Sequence, residues 1–215
     1  MAFTPVKIPF WVKKIFPSYV WHINTQAREL YLTFDDGPTP EITDWVLNTL
    51  GQYNAKATFF CIGKNIEQHP DILKRIISKG HSIGNHTQNH VKGWKTSSAE
   101  YINSVKQTEL AINNNTEPNH LSPLLFRPPY GRIKKDQGKQ LIQLGYKIIM
   151  WDILSVDWDK SVTPEKCCLN VINNSRKGSI IVFHDSIKAS INMKYALPKV
   201  LEHFNGLGYS FKAIT

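Results

Sequence analysis

Short apolar segments of β type alternate with helical segments along most of this chain, and this alternation constrains its fold more than any other feature. The predicted strands are residues 29–34, 57–62, 81–85, 124–127, 147–152, 179–184 and 209–213. The predicted helices are residues 40–53, 66–79, 135–144, 164–174 and 195–204, and one that begins after Ser97. Strands joined through helices pair in parallel by right-handed crossovers. The pattern therefore predicts an α/β fold, and both a barrel and an open doubly wound sheet satisfy it.

A length of 215 residues, 41% of them hydrophobic, suits one domain with a sizeable core. We place this domain at residues 29–215, with residues 1–28 as an N-terminal arm that packs on it. Cys61, Cys167 and Cys168 make a poor disulfide framework because the count is odd and two are adjacent. We expect three free, buried thiols, which suit a reducing compartment.

The arm is basic and aromatic, but prolines and lysines interrupt any apolar core that a signal peptide would need. A cytoplasmic location is therefore expected. The chain carries 26 Lys and Arg against 17 Asp and Glu, a net charge of +9 that favours anionic partners. Because the basic residues are scattered, no nucleic-acid partner is expected. Residues 10–16 (FWVKKIF) could instead contact a membrane surface.

Titratable side chains follow the predicted strands at their carboxyl ends, where α/β folds carry their working surface. These residues are Asp35, Asp36, His86, His90, Arg127, Tyr130, Asp157 and His184. Each has an ordinary structural explanation when it is taken alone, such as a turn, a helix cap or a satisfied core histidine. Their convergence on one rim favours a functional site.

Asp36, His86 and His90 form a candidate metal-ligand set. Two histidines four residues apart lie on one face of a helical turn, near enough to share an ion. Three protein ligands with open positions are typical of catalytic rather than structural zinc. Trp94 follows closely and is a candidate either for stacking on a sugar or for packing in the loop.

The remaining rim residues suit acid–base chemistry. Arg127 precedes two prolines in a stiff segment, and its guanidinium suits pairing with a carboxylate. The same prolines leave the Tyr130 N–H free to point elsewhere than into a strand ladder. An acidic partner, for which Asp157 is the candidate, would raise the pKa of His184 and keep it able to donate a proton.

Together these segments resemble the polysaccharide deacetylase family (carbohydrate esterase family four, the NodB-homology domain). The resemblance runs in order from residue 29 to residue 211. The five family motifs correspond to residues 33–38, 86–90, 127–131, 152–158 and 182–184. The last has Val182 where the family usually has leucine. The resemblance implies a distorted (β/α)7 barrel of the glycoside hydrolase/deacetylase type.

The resemblance also implies a role for each rim residue. Asp36, His86 and His90 would bind one divalent metal ion, commonly Zn²⁺, with Co²⁺ or Ni²⁺ as alternatives. Asp35 would be the general base, oriented by Arg127, and His184 the general acid, tuned by Asp157. The Tyr130 backbone N–H would complete the oxyanion hole. Trp158, Val182 and Pro129 would contact the substrate, the first two by lining the acetyl pocket.

The function that follows is removal of N-acetyl groups, as acetate, from glycans that contain N-acetylglucosamine, such as chitin oligosaccharides or peptidoglycan. A monomer is expected. Two alternatives remain open from the sequence. One is an esterase that removes O-acetyl groups from xylan-type glycans, and the other is a glycan-binding domain without turnover.

Overall fold

The structure is a computed structural model, and it describes residues 5–116 and 123–215. Within these residues there are eight β-strands and eight α-helices. The strands are β1 Glu29–Asp35, β2 Ala57–Cys61, β3 Ser82–Asn85, β4 Leu125–Phe126, β5 Lys147–Ile148, β6 Ile153–Leu154, β7 Ile180–His184 and β8 Ser210–Phe211. The helices are α1 Phe10–Ile15, α2 Ile42–Gly51, α3 Gly63–Gln68, α4 Pro70–Ser78, α5 Ser98–Asn113, α6 Lys135–Gln143, α7 Pro164–Ile172 and α8 Ser190–Gly206.

Seven strands form one parallel sheet in the order β5-β4-β3-β2-β1-β7-β6, and β8 pairs with β1 off this path. The sheet curls into a parallel-stranded barrel with helices outside it, so the predicted distorted (β/α)7 barrel is confirmed. Side chains alternate along the central strand β1 because successive residues of a strand face opposite sides. Leu30, Leu32 and Phe34 join the core beneath the helices. Tyr31 packs in a separate cluster on the other face of the strand.

Two of the predicted elements were wrong in detail. The single helix predicted over residues 66–79 is two helices, α3 and α4, which meet at His69. Pro70 causes the break, because a proline has no N–H for the preceding helix and disfavours helical backbone in the residue before it. The helix predicted after Ser97 is α5, and a capping box begins it: the Ser97 hydroxyl accepts from the Glu100 N–H, and the Glu100 carboxylate accepts from the Ser97 N–H.

The strand predicted over residues 147–152 was also wrong, because its pairing stops after β5 and resumes in β6. The two short strands lie at opposite ends of the sheet order. The apolar residues between them gave no sign of this interruption. The two strands therefore flank an opening in the barrel wall.

The N-terminal arm fills this opening, and residues 1–4 of the arm lie outside the described residues. The Val20 N–H donates to the Ile148 carbonyl (2.8 Å), and the Val20 carbonyl accepts from the Met150 N–H (2.7 Å). Further along, the Leu154 N–H donates to the Val6 carbonyl (2.8 Å). The arm therefore bonds to both edge strands and closes the sheet on itself, which removes two exposed strand edges.

A buried ion pair holds the arm in place. Lys13 pairs with Asp152, whose side chain is completely buried and also accepts from the Ser179 hydroxyl (2.9 Å). The three cysteines are free and buried, as expected. No helix in residues 5–116 or 123–215 is long and apolar enough to span a membrane.

We expect Lys13→Met to lower the free energy of unfolding by about 3 kcal/mol, because it leaves the Asp152 carboxylate buried without its cation. Urea denaturation at neutral pH measures the change. Lys14→Met is the matched control, since Lys14 is exposed. Adding Asp152→Asn to Lys13→Met removes the unpaired buried charge and should recover most of the lost free energy of unfolding. Equal stability of the two lysine variants would contradict the role of this ion pair.

Candidate active site

The first part of the site is the turn that follows β1. The strand ends at Asp35, and Asp36 has a left-handed backbone (φ 80°), which lets its side chain depart from the strand alternation. The Asn65 side-chain amide donates to the Asp36 carbonyl (2.7 Å), and the Gly37 N–H donates to the Asp185 carboxylate (3.1 Å). These contacts hold both aspartates at the carboxyl rim of the sheet, as the sequence predicted.

Asp185 is a site residue that the sequence reasoning missed. Its carboxylate is buried and accepts from Gly37 and from the Thr43 hydroxyl (2.5 Å). Burial raises the pKa of Asp185 to about 7, although the hydrogen bond from Thr43 opposes the rise. A Cβ on Gly37 would lie 2.0 Å from this carboxylate, so only glycine fits there. The available signal was an acid directly after His184, at the end of an apolar strand.

The loop with the two predicted histidine ligands is not the helical turn that their spacing suggested. No helix is assigned to residues 86–90, and Thr87 and His90 have left-handed backbone (φ 67° and 51°). The Asn85 side chain accepts from the Thr87 N–H (2.9 Å), and the Ser104 hydroxyl accepts from the Gln88 N–H (3.0 Å). The loop is therefore shaped by hydrogen bonds to β3 and α5, and these bring the two rings together.

Asp36, His86 and His90 lie together, with one possible ligand atom from each within 4.8 Å of the others. The Asp36 Oδ1 atom is 3.3 Å from His90 Nε2 and 3.7 Å from His86 Nε2. This oxygen is buried and has no hydrogen-bond partner within the described part of the chain. Ligand atoms of tetrahedral zinc are roughly 3.3 Å apart, since each bond is about 2.0 Å long. The spacing fits a metal ion.

The protonation of both histidines supports the same conclusion. His86 Nδ1 lies 2.8 Å from the Arg127 carbonyl, which can only accept, so Nδ1 carries the proton and Nε2 keeps its lone pair. Burial lowers the pKa of His86. Burial, and then the neighbouring His86, lower the pKa of His90 to about 4. Neutral rings facing an orphaned carboxylate oxygen bring lone pairs together, and a cation between them would remove the repulsion.

Asp35 lies on the other side of Asp36 and pairs with a completely buried arginine. The Arg127 Nη1 atom is 2.7 Å from the Asp35 carboxylate and 2.6 Å from the Thr33 hydroxyl. Burial alone would raise the pKa of Asp35, but Arg127 foremost, with the nearby histidines, lowers it below its usual value. Asp35 is therefore ionised at neutral pH and can accept a proton.

His184 ends β7 and binds Asp157 twice. Its ring Nδ1 donates to one carboxylate oxygen (2.8 Å) and its backbone N–H to the other (2.7 Å). Burial would lower the pKa of His184, but the Asp157 carboxylate raises it to about 9. His184 therefore carries a proton at neutral pH, and its Nε2–H remains to be donated.

Tyr130 lies beside the metal-ligand set, and its ring centroid is 4.5 Å from that of His90. Its backbone is left-handed (φ 59°) inside the 3-10 turn Pro129–Gly131. The N–H groups of Gly131 and Arg132 donate to the carbonyls three residues earlier, whereas the Tyr130 N–H has no backbone acceptor in the described residues. This amide is available to an oxygen of a bound molecule.

The three residues expected to contact the substrate have different surroundings. The Trp158 ring stands edge-on to His184, with centroids 4.8 Å apart. Val182 is buried in an apolar cluster against which Trp158 packs. Pro129 is buried in its turn. The structure brings Trp158 and Val182 together beside His184, whereas it gives Pro129 no comparable position.

A cleft of about 500 Å³ opens from Asp36 and His90. Its lining includes the Pro38–Pro40 segment and the loop residues Ser186, Ile187 and Lys188. Asp36 and His90 of the candidate metal site therefore face an open cleft, and the ionised Asp35 and the protonated His184 lie near this set. A possible metal site beside a carboxylate and a protonated histidine is typical of a metal-dependent hydrolase.

The comparisons with known proteins agree with this class. The family model for polysaccharide deacetylase matches residues 22–149. A peptidoglycan-N-acetylglucosamine deacetylase of Bacillus cereus is 38% identical over 208 residues, covering 94% of this chain and 72% of that protein. Chitin deacetylase 2 of Saccharomyces cerevisiae is 34% identical, covering 86% of this chain and 61% of that protein.

A solved structure gives the same result. The Bc1960 peptidoglycan N-acetylglucosamine deacetylase superposes with a TM-score of 0.86 at 36% identity, covering 96% of this chain and 95% of that one. The chain belongs to the polysaccharide deacetylase family.

Proposed function

We propose that this protein is a metal-dependent hydrolase that removes N-acetyl groups from glycans containing N-acetylglucosamine. The observation that carries the proposal is the orphaned Asp36 oxygen facing two neutral histidine rings, flanked by an ionised Asp35 and a protonated His184. Amide hydrolysis requires an activated water, a stabilised oxyanion and a proton for the leaving nitrogen. Each requirement has a matching group in this site.

Asp36, His86 and His90 would hold the ion, which we propose to be zinc, with cobalt and nickel as alternatives. When bound, a divalent ion supplies Lewis-acid chemistry, since it polarises a carbonyl and makes water more acidic. Asp35 takes a proton from the water whose oxygen attacks the acetyl carbon. Arg127 keeps Asp35 ionised and fixed in orientation, because the guanidinium is itself held by its neighbours.

The Tyr130 N–H donates to the oxyanion that develops when the water attacks, a contribution of about 3–4 kcal/mol for one such donor. The second half of the reaction needs a proton on the amide nitrogen. His184 then gives its Nε2 proton to the nitrogen as the C–N bond breaks, and acetate and a free amine result. Trp158 and Val182 provide an apolar surface beside His184 that suits the acetyl methyl group.

The names of the relatives support this substrate class. The two relatives described above are named for deacetylation of peptidoglycan N-acetylglucosamine and of chitin. Both polymers carry N-acetyl groups on glucosamine. The monomeric state stays a prediction.

We expect His86→Ala and His90→Ala each to abolish tight Zn²⁺ binding in equilibrium dialysis and acetate release from an N-acetylglucosamine oligomer. A chelator should abolish acetate release by the parent chain, and added Zn²⁺ should restore it. His203→Ala, on the exposed face of α8, is the matched control and should retain both properties. Acetate release that survives both the chelator and His90→Ala would refute the metal mechanism.

Asp35→Asn separates the base from the metal site. We expect this variant to retain bound Zn²⁺ but to lose activity by about 10²- to 10⁴-fold, the usual contribution of a general base. Full activity in this variant would exclude Asp35 as the base.

The pH dependence tests His184. Its raised pKa of about 9 means that it loses the catalytic proton, and activity declines, as the pH rises through that value. Asp157→Asn removes the carboxylate that raises this pKa, so the alkaline decline of kcat/KM should move towards neutral pH. Asp159→Asn is the matched control, because Asp159 binds Ser161 instead. An alkaline limb at the same pH in the parent chain and Asp157→Asn would contradict the assignment.

We also propose that α1 contacts an anionic membrane surface. Phe10, Trp11 and Ile15 are 70%, 64% and 59% exposed, and Lys14 lies among them. The parent chain should cosediment with anionic vesicles at low salt, and a variant with Phe10→Ser and Trp11→Ser should not. These substitutions leave the barrel closure intact, whereas deletion of the arm would open it. Equal cosedimentation of the two proteins would refute the proposal.

A further inference from the structure

We propose that Lys92, Trp94, Tyr130 and Arg132 form a cationic aromatic platform that binds the sugar next to the one being deacetylated and favours a sugar that carries a carboxylate. The inference rests on the proposed function and sharpens its substrate class. It is carried by the position, charge and rigidity of these four residues.

The platform extends outward from the metal-ligand set. The Tyr130 ring stacks obliquely on His90, and the Trp94 ring stands edge-on to Tyr130 with their centroids 5.4 Å apart. Tyr130 is 52% exposed and Trp94 is 36% exposed. A glycan that places its acetyl group at Asp36 would therefore meet aromatic surface on the His90 side. Aromatic rings suit the apolar faces of sugars.

Two cations flank the aromatic rings. The Lys92 Nζ atom lies 5.6 Å from the Tyr130 ring centroid, and the Arg132 guanidinium carbon lies 5.5 Å from that of Trp94. Neither cation forms an ion pair in residues 5–116 or 123–215. Both charges are thus available to an anion. The planar guanidinium also matches a carboxylate in a two-bond geometry.

The two loops that carry the platform are tied together. The buried Gln137 side chain donates to the Gly93 carbonyl (3.0 Å), and its oxygen accepts from the Lys134 N–H (3.0 Å). Lys134 in turn donates from Nζ to the Thr96 carbonyl (2.8 Å). A Cβ on Gly93 would lie 3.2 Å from the Arg132 carbonyl, which shows how closely the loops approach. Such a preorganised surface loses little entropy on binding.

The two named relatives act on different polymers, and these polymers differ in the charge that they present to the platform. Chitin is uncharged, so aromatic surface alone would suffice to bind it. In peptidoglycan the neighbouring sugar, N-acetylmuramic acid, bears a lactyl carboxyl group, which is a free carboxylate where the stem peptide has been removed. Two cations without ion-pair partners among the described residues, beside the aromatic rings, favour peptide-free glycan strands with this carboxylate over uncharged chitin.

The test compares three tetrasaccharides: alternating N-acetylglucosamine and N-acetylmuramic acid with free carboxylates, the same compound with its carboxylates converted to carboxamides, and the N-acetylglucosamine tetramer. For the parent chain at low salt, we expect kcat/KM to be about fivefold higher for the carboxylate than for the carboxamide, through KM, as two exposed ion pairs would give. The preference for the carboxylate should decrease in high salt, because dissolved ions screen the attraction between exposed charges.

The variant with Lys92→Met and Arg132→Met should bring the carboxylate-to-carboxamide ratio close to one. Lys74→Met, an exposed lysine of α4, is the matched control for charge and should keep the ratio. Trp94→Ala should raise KM for all three compounds, and Trp94→Phe should restore it in part. A parent chain that does not distinguish the carboxylate from the carboxamide, or a double variant that keeps the ratio, overturns the proposal.

A binding measurement separates this proposal from the proposed function. Calorimetric titration of the three tetrasaccharides reports affinity whether or not acetate is released. Without turnover on any compound, the proposed function fails. The platform still stands if the carboxylate binds more tightly than the carboxamide and the double variant removes the difference, and it falls if the affinities are equal.

Discussion

The Arg127 guanidinium is the interaction on which most of this site depends. It is completely buried, and it binds the Asp35 carboxylate, the Thr33 hydroxyl and the carbonyls of Ile149 and Met150. Because two strands separate β4 from β1 in the sheet, this side chain crosses the barrel interior. A charge so deeply buried is tolerated only with such complete pairing. Removal of one partner would leave the others unsatisfied.

The same residue also reaches the metal-ligand set through its backbone. Its carbonyl accepts from His86 Nδ1, which leaves Nε2 of that ring directed at Asp36. One residue thus keeps Asp35 ionised and sets the tautomer of His86. Lysine could not replace it, because a single ammonium cannot bind two carbonyls, a hydroxyl and a carboxylate in this planar arrangement.

How much of the fold and of the site could be predicted from the sequence depended on whether a feature is set by local sequence or by contacts distant along the chain. The strand and helix alternation predicted the α/β class, because hydrophobic periodicity is local, whereas the choice of a barrel came from the resemblance to the polysaccharide deacetylase family. The residues of the rim were also accessible, since they follow strand ends. The shape of residues 86–90 was not accessible, because it depends on Ser104 in α5 and on left-handed backbone at Thr87 and His90. The predicted ligand set was thus paired with a wrong local structure.

Other features depend on contacts that are distant along the chain. Asp185 matters because it receives the Gly37 N–H and the Thr43 hydroxyl, 148 and 142 residues away. The division between β5 and β6 depends on an arm more than a hundred residues earlier, and apolar periodicity carries no trace of such a partner. Sequence patterns therefore indicated which side chains gather at the rim, whereas the contacts that orient them required the structure.

The arm has a consequence for the site itself. Val20 exchanges hydrogen bonds with Ile148 and Met150, so it fixes the segment whose Ile149 and Met150 carbonyls hold Arg127. Val6 bonds to Leu154, three residues before Asp157. The arm therefore supports Asp35 through Arg127 and His184 through Asp157. A segment outside the family's motifs thus contributes to the positions of Asp35 and His184, because an open barrel edge at β5 and β6 would leave the backbone that holds Arg127 and Asp157 free to move.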